Sequence, residues 1–134
     1  MMEAFLVPEN TVVSAKGDGP ALDMSRAEGR VFLLTLVITN IVEQESLEVS
    51  IFGSADGATW DPKPVAAFPQ KFYREEAPLL LNLTAQPELK FVRAHWEVGR
   101  WGRGPETPMF EFSVALREVP QEILAEAAGR VRAQ

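Results

Sequence analysis

Apolar and polar residues alternate along several short segments of this chain, and this pattern constrains its fold more than any other sequence feature. The alternation is clearest over Leu47–Ile51 and Met109–Arg117, where every second residue is apolar. Because successive side chains of a strand point to opposite faces of a sheet, each segment predicts a half-buried β-strand. Val31–Thr39 is β-branched, aromatic and apolar on both faces, which predicts a strand in the middle of a sheet.

The segment Lys90–Val98 predicts a further strand with two different faces. One face is wholly apolar and carries Val92, Ala94, Trp96 and Val98. The other face carries Phe91, Arg93, His95 and Glu97. Since the apolar face belongs in the core, we expect His95 to lie outside the sheet, between charged neighbours rather than in a pocket.

Weaker strand patterns occur at 70–74 and 79–83, and prolines and glycines separate all these segments. Many short strands with frequent turns and no helix between them are typical of an antiparallel β-sandwich or jelly roll. The sequence therefore predicts an all-β domain over residues 1–119. Within it, residues 1–30 are expected to form an N-terminal arm and loop. Residues 1–12 contain a short apolar stretch ended by Pro8, which predicts an edge strand or an arm, and residues 14–30 are rich in small and turn-forming residues, which predicts a long loop.

The C-terminal segment, residues 120–134, predicts a short helix. Pro120 suits the first turn, and Glu126 and Arg130 are spaced for a favourable ion pair. A narrow apolar stripe is formed by Ile123, Leu124, Ala127 and Val131. Because so short a helix is marginal alone in water, we expect it to dock on its own sandwich or on a neighbouring copy, or else to fray.

Composition excludes several functional classes. The chain has 134 residues, no cysteine, one histidine and a formal net charge of −6. Disulfides, thiolate metal sites and a cysteine nucleophile are therefore excluded, and the charge argues against nucleic-acid and anionic membrane partners. No apolar run approaches the roughly 20 residues that span a bilayer, and the N-terminal residues lack the basic and apolar regions of a signal peptide. We expect a cytoplasmic protein without a cofactor.

Motifs for catalysis are missing as well. The sequence contains no G-x-S-x-G, P-loop or dinucleotide-binding pattern. Acidic residues in predicted loops, such as Asp18 and Asp56, do not form a calcium-binding series, so no metal site is expected. Glu48 and Glu97 could form a carboxylate pair of the kind used in glycoside hydrolysis, but outward-facing acids are common on strands. The sequence predicts a protein that is not an enzyme.

One local pattern resembles a known family. Gly53–Trp60, which reads GSADGATW, follows a strand and contains S-x-D-G-x-x-W, and Phe91–Trp96 and Phe110–Leu116 supply two later strands. These stretches resemble discoidin (coagulation-factor type C) domains and related jelly-roll binding modules, in which the first phrase forms a hairpin at one end of the barrel. They span roughly residues 30 to 118, without the paired terminal cysteines of the extracellular members. EQESLEVSIFGSADGATW together with HWEVGRWGRG is also similar to small uncharacterised bacterial proteins, and the resemblance implies a sandwich rather than a ligand.

Two functional hypotheses remain open. The first is a structural, self-assembling β-sandwich, either a homo-oligomer or a subunit of a larger assembly. The alternative is a module that binds carbohydrate or another small polar ligand through loops at one end, because exposed arginine and tryptophan stack on sugars and hold anions. Its candidate binding residues are Asp56, Trp60, Arg100, Trp101 and Arg103. The loop around Trp101 equally suits packing or a contact with another copy, since arginine and tryptophan are enriched at protein interfaces.

Overall fold

The computed structural model describes residues 2–41, 45–100, 109–120 and 122–123, with only the backbone of Glu45 and Arg100. Within this part of the chain the fold is all-β, as the alternation predicts. The strands are β1 (Glu3–Val13), β2 (Gly17–Asp18), β3 (Leu22–Asp23), β4 (Val31–Ile41), β5 (Glu45–Ser54), β6 (Ala66–Ala67), β7 (Glu75–Asn82), β8 (Phe91–Arg100) and β9 (Phe110–Glu118).

The strands form two antiparallel sheets. The four-stranded sheet has the order β1-β9-β4-β7, and the second sheet has the order β2-β8-β5-β6 with β3 also paired to β8. The buried apolar residues of both sheets form one hydrophobic cluster. The rings of Trp96 on β8 and Phe112 on β9 meet edge-to-face with centroids 5.6 Å apart, which joins the two sheets across this core.

The alternation in β8 places its side chains as predicted. Val92, Ala94 and Trp96 are buried, whereas the charged residues face outward. The Trp96 indole also satisfies its N–H, which donates to the Ala15 carbonyl at 3.2 Å. One strand therefore supplies the core on one side and a charged surface on the other.

β4 lies in the middle of the four-stranded sheet, between β9 and β7, which confirms the prediction from its two apolar faces. Its inward side chains are fully or almost fully buried: Phe32, Leu34, Leu36 and Ile38. Leu33, Thr35 and Val37 face outward and are only half-buried. The outward apolar residues of β4 therefore belong to a surface and not to a second core.

Of the two alternatives for residues 1–12, the structure shows the edge strand, and the loop predicted at 14–30 contains the two short strands β2 and β3. β1 is a full edge strand of the four-stranded sheet, with Leu6 and Val7 buried in the core. Its pairing with β9 is irregular between Val7 and Thr11, where Pro8 lies and Asn10 has a φ of 64°. The periodicity underestimates β1 because this irregularity interrupts the alternation of its side chains.

The structure differs from both of the weaker strand predictions. The predicted strand at 70–74 is wrong, since only Lys71 bridges to Leu47, with backbone hydrogen bonds of 2.8 and 2.9 Å. The strand predicted at 79–83 begins earlier, at Glu75, and includes Pro78, which pairs with Thr35. β7 is an edge strand, so it accommodates outward charges and a proline that a central strand would not.

A buried carboxylate ties the N-terminus to the end of β9. Glu118 is 1% exposed. Its Oε1 accepts hydrogen bonds from the amides of Met2 (3.1 Å) and Glu28 (3.2 Å), and its Oε2 accepts one from Gly29 (3.0 Å). Burial alone would raise the pKa of Glu118, but the amide hydrogen bonds outweigh it and hold the pKa below its ordinary value.

The predicted C-terminal helix over 120–134 lies almost wholly outside the described residues. Glu122 and Ile123 have helical backbone, and the Ile123 amide donates to the Pro120 carbonyl at 3.1 Å. These two residues do not show a helix, which stays a prediction. No helix in the described ranges is long and apolar enough to cross a membrane.

Candidate functional site

The loop after β5 is organised by the Ser54 hydroxyl. Ser54 is fully buried, and its Oγ accepts hydrogen bonds from the amides of Asp56 (3.2 Å) and Gly57 (2.9 Å). The same oxygen donates to the Thr59 carbonyl at 2.6 Å. Gly57 has a φ of 81°, a conformation that glycine adopts without steric cost. The serine, aspartate and glycine of S-x-D-G-x-x-W are therefore a turn signal.

Asp56 holds this turn rather than offering a free carboxylate. Its Oδ1 accepts hydrogen bonds from the amides of Ala58 (2.8 Å) and Thr59 (2.9 Å). The bonds from Thr59, Ala58 and Ser54 hold the pKa of Asp56 below its ordinary value, because they stabilise the ionised form. Asp56 has the turn-orienting role that the ligand-binding hypothesis assigns to it.

Trp60 contacts Arg93 on β8, a residue that the sequence analysis placed on the charged face of that strand. The guanidinium carbon of Arg93 lies 4.3 Å from the Trp60 ring centroid, which is a cation–π contact. The Arg93 Nε is buried and has no hydrogen-bond partner among the described residues. It lies 3.7 Å from Oδ1 of Asp18. The loop thus places an aromatic and cationic pair on the outer side of the five-stranded sheet.

His95 lies in the same outer row, in the polar environment that the alternation predicts. Its Nδ1 is 2.8 Å from Oδ1 of Asp18 on β2, and its Nε2 is 3.7 Å from Oε1 of Glu97. The edge of the Phe52 ring packs against the imidazole at 5.8 Å between centroids. A carboxylate beside Nδ1 favours the tautomer that is protonated there and fixes the orientation of the ring.

A shallow groove of about 460 Å³ continues along this surface. It is lined by Ser14, Ala15, Lys16, Ser46, Glu48, Gln70, Glu97, Val98 and Gly99. Glu48 on β5 lies directly opposite Glu97 on β8, and both side chains are exposed. Like charges in directly opposed positions destabilise a sheet, so this pair is unfavourable for folding. We call the following outward residues the polar face: Ser46, Glu48, Ser50 and Phe52 on β5, Arg93, His95, Glu97 and Gly99 on β8, and Asp18 on β2.

Ser46 and Gly99 form the last pair of the polar face. Ser46 is 5% exposed and lines the groove. A Cβ on Gly99 would lie 2.6 Å from the Ser46 Oγ, far inside van der Waals contact. The missing side chain of Gly99 is therefore what leaves room for the hydroxyl at the groove.

The opposite side of the molecule presents a different surface. Apolar residues that face outward from the four-stranded sheet include Phe5, Leu33, Val37 and Leu80, with the outward polar residues Arg117 and Glu76 directly opposite Leu33 and Val37. Phe5 is 43% exposed and Leu80 is 58% exposed. Ala115 and Thr35 lie between them, in register with each other. We call Phe5, Leu33, Thr35, Val37, Leu80 and Ala115 the apolar face.

The structure describes two of the five predicted binding residues in full. Asp56 and Trp60 lie in one loop, as the sequence suggested. Arg100 is the last residue of β8, and nothing is described of its side chain. Trp101 and Arg103 lie outside the described residues, so the predicted role of that loop stays a prediction.

Sequence reasoning did not bring together the other members of the polar face. The alternation puts Ser46, Glu48 and Ser50 on one side of β5, and this was a usable signal. Their partners come from β8 and β2, which are distant in sequence. Periodicity within one segment does not say which strands pair, so the sequence named Glu48 and Glu97 as candidates for a carboxylate pair without placing them opposite each other, and it did not predict the Asp18 contact.

Comparisons with known proteins add a similar structure but no family. No protein-family model matches the chain, and no curated protein matches it. The resemblance to discoidin domains therefore stays a resemblance. Among solved structures, the SPBc2 prophage-derived protein YomS is similar, with a TM-score of 0.48 and 7% sequence identity. The similarity covers 87% of this chain and 92% of that protein.

Proposed function

We propose that this protein is a non-enzymatic β-sandwich that self-associates, with a second copy packed on its apolar face. The observation that carries this proposal is the group of outward apolar residues on this sheet: Leu33 lies directly opposite Leu80, and Phe5 and Leu33 line one concavity with Ala115 and Arg117. Neighbouring exposed apolar residues are typical of sites that bind another protein, whereas scattered ones are ordinary. The core lies on the other side of this sheet. Packing of the core therefore does not explain why these outward residues are apolar.

The strand orders support a sandwich of the jelly-roll type. Neighbours such as β1 and β9, or β4 and β9, are far apart in sequence. The chain passes repeatedly from one sheet to the other, with long connections between neighbouring strands, as in double-sheet Greek-key folds. The discoidin-like modules that the sequence resembles share this architecture, which supports the fold and says nothing about a ligand.

The charges on β9 favour a second copy of this chain as the occupant. Glu111 and Arg117 are outward residues of β9, about 20 Å apart at 3.4 Å per residue. A two-fold axis that lies in the interface, perpendicular to β9, brings Arg117 of each copy over Glu111 of the other. Ser113 and Ala115 then lie at the axis, and their small side chains allow the two sheets to approach closely.

The size of the surface indicates a weak dimer. Four strands about 4.8 Å apart and about nine residues long give a face of roughly 570 Å². A standard interface buries about 800 Å² on each partner. We therefore expect a dimer that dissociates on dilution rather than an obligate one.

Light scattering across a concentration series tests the proposal. The full chain should change from the monomer mass to twice that mass as its concentration rises. Leu80→Glu should weaken the dimer by at least about tenfold, because it replaces a buried apolar contact worth about 1.5–3 kcal/mol with a charge. Tyr73→Glu is the matched control, since Tyr73 is 73% exposed and is not one of the six residues of the apolar face.

A charge exchange tests the arrangement of the two copies. Arg117→Glu should weaken the dimer by bringing like charges together, and the double variant Glu111→Arg with Arg117→Glu should restore it. A monomer mass at every concentration would overturn the proposal. A dimer that is unaffected by Leu80→Glu would also overturn it, since the contact would then lie elsewhere.

A further inference from the structure

We infer that the C-terminal segment, residues 120–134, packs along the apolar face of its own copy and competes there with the second copy. The competition rests on the proposed self-association, because it names what controls access to that surface. Packing of the segment within one copy does not depend on self-association. The sequence predicts that this segment docks, and the inference assigns the place where it does so.

Three adjoining depressions form one trough across the outer side of the four-stranded sheet. The first, of about 440 Å³, is lined by Ile123 at the end of the described chain and by Leu33 of the apolar face. It shares Leu33 and Arg117 with a second depression of about 550 Å³. The second shares Phe5 and Ala115 with a third of about 270 Å³. The trough therefore connects the end of the described chain with the apolar face.

The described chain already turns towards this trough after β9. The Ile123 amide donates to the Pro120 carbonyl at 3.1 Å, which closes a turn just beyond the strand. Ile123 lines the first depression and is still 54% exposed, so its side chain lies beside the sheet with an uncovered apolar surface. The residues that follow Ile123 therefore start at the Leu33 end of the trough.

The length of the segment matches the length of the trough. Leu33 and Thr39, which line its two ends, are six residues apart on β4, about 20 Å at the rise of a strand. Residues 122–134 span about 20 Å as the helix that the sequence predicts, at 1.5 Å per residue. The predicted apolar stripe, with Leu124, Ala127 and Val131, can then cover the trough along its whole length.

The charges at the far end of the trough are opposite to those at the far end of the segment. That end of the trough carries three carboxylates: Glu9, Glu76 and Glu111. The near end carries one charge of each sign, on Glu3 and Arg117. The segment carries Arg130 and Arg132 towards its own far end. The direction that the turn at Pro120 sets thus places cations over carboxylates, which attract each other.

The segment and a second copy exclude each other on this surface. A helix is about 10 Å across, so it covers about two neighbouring strands, which lie about 4.8 Å apart. A second copy whose two-fold axis passes at Ala115 needs the same strands. Because only the uncovered fraction of the chains can associate, the segment lowers the apparent affinity of self-association.

A disulfide reports whether the segment lies on the apolar face of its own copy. The chain has no cysteine, so two introduced thiols can bridge only to each other. Val37 lies about 14 Å along β4 from Leu33, and Val131 lies about 12 Å along the predicted helix from Ile123, so the docked helix brings Val37→Cys and Val131→Cys together. The Leu80→Glu substitution is included to keep the chain monomeric.

The readout of this variant is the peptide that joins residues 37 and 131. The protein is oxidised with oxidised glutathione, separated at the monomer mass, digested without reduction and analysed by mass spectrometry. Ser50→Cys with Val131→Cys, also with Leu80→Glu, is the matched control, since Ser50 faces outward on the other sheet. We expect at least about tenfold more joined peptide from the Val37 pair than from the Ser50 pair, because a disulfide requires Cα atoms within about 7 Å.

Light scattering measures the competition in the full chain. Leu124→Glu with Val131→Glu removes the apolar stripe, so the dimer should form at a concentration at least about tenfold lower than in the original chain. Ala125→Glu with Ala133→Glu adds the same charge to the opposite side of the predicted helix. This matched control should dimerise like the original chain.

The two experiments separate failure of this inference from failure of the proposed function. Equal bridging in the two cysteine pairs, or bridges between chains alone, would overturn the packing even if the protein dimerises. A dimer that is not strengthened by Leu124→Glu with Val131→Glu would overturn the competition and leave the proposed function standing. A monomer mass of the original chain and of both glutamate variants at every concentration would overturn self-association and the competition together, and the disulfide would still decide the packing.

Discussion

The two sheets of this protein bury the same kind of core but present opposite surfaces. The four-stranded sheet shows the apolar face, with Phe5 and Leu80 among its exposed side chains. The five-stranded sheet shows the polar face, with two glutamates opposed and a histidine held by Asp18. The outward residues of the two sheets therefore differ in chemistry although the inward residues do not. The proposed self-association concerns the apolar face alone.

The largest effect expected on stability comes from a residue on neither face. Glu118→Gln keeps the size of the side chain but removes the charge that accepts three backbone amides. We expect the free energy of unfolding at pH 7 to fall by about 1.5–3 kcal/mol, the range for hydrogen bonds to charged groups. Urea unfolding measures this loss. If the apolar face acts separately from the interior, the dimer mass should not change in the folded variant.

Acid should remove the contribution of the ionised Glu118 to the stability of the original chain. The pKa of Glu118 is lower in the folded state than in the unfolded state, so its stabilisation is complete above the unfolded pKa of about 4.5. It is lost as pH falls through the lower, folded-state pKa. The stability difference between the original chain and Glu118→Gln should therefore shrink between pH 5 and pH 3. A difference that stays constant over this range would contradict the assignment.

The next largest effect should separate the two faces directly. Ala115→Arg places a long charged side chain at the proposed two-fold axis and should weaken the dimer by about a hundredfold, as expected for a buried, unpaired charge. The same change at Ser50, which faces outward at the centre of the polar face, should leave the mass unchanged. Light scattering of both variants gives the result. Equal loss of the dimer in the two variants would remove the distinction between the faces.

A smaller effect is expected at the aromatic end of the polar face. Arg93→Ala should lower the free energy of unfolding by about 0.5–1 kcal/mol, the value of a partly exposed cation–π contact. It should also change the tryptophan fluorescence, because it uncovers the Trp60 ring. Arg74→Ala, at an exposed arginine for which no ion pair or ring contact is described, is the control and should change neither property.

The smallest effect concerns the turn that carries Trp60. Asp56→Asn keeps one acceptor for the Ala58 and Thr59 amides but loses the charge. We expect a small fall in Tm at neutral pH that disappears in acid, because the folded-state pKa of Asp56 is lowered and its contribution is lost as pH falls through it. Scanning calorimetry at pH 7 and pH 3 compares the two proteins.

Much of the fold could be predicted from local patterns in the sequence. Alternation predicted β5, β8 and β9 and the outward position of His95, and the two apolar faces of β4 predicted its central place. The strand at 70–74 was wrong because a short apolar stretch does not distinguish a strand from an extended segment with one bridge. The buried Glu118 was also missed, since its partners Met2 and Gly29 are about ninety or more residues away and no local pattern signals them.

The candidate sites were predictable to a smaller extent. The turn around Asp56 and the charged row of β8 were visible in the sequence. The Glu48 and Glu97 pair depends on the register between two strands, and the apolar face depends on four strands from different parts of the chain. Sites of this kind are properties of the assembled sheets and not of any one segment.

The prolines in the outer strands of the four-stranded sheet determine how that sheet can grow. Pro8 lies in β1 at an irregular stretch, and Pro78 lies within β7. Prolines in edge strands remove a hydrogen-bond donor, so they disfavour the addition of a further strand at either border. The proposed dimer covers the apolar face by stacking instead, and a pair related by two-fold symmetry closes on itself. The proposal therefore describes a finite assembly rather than open-ended aggregation.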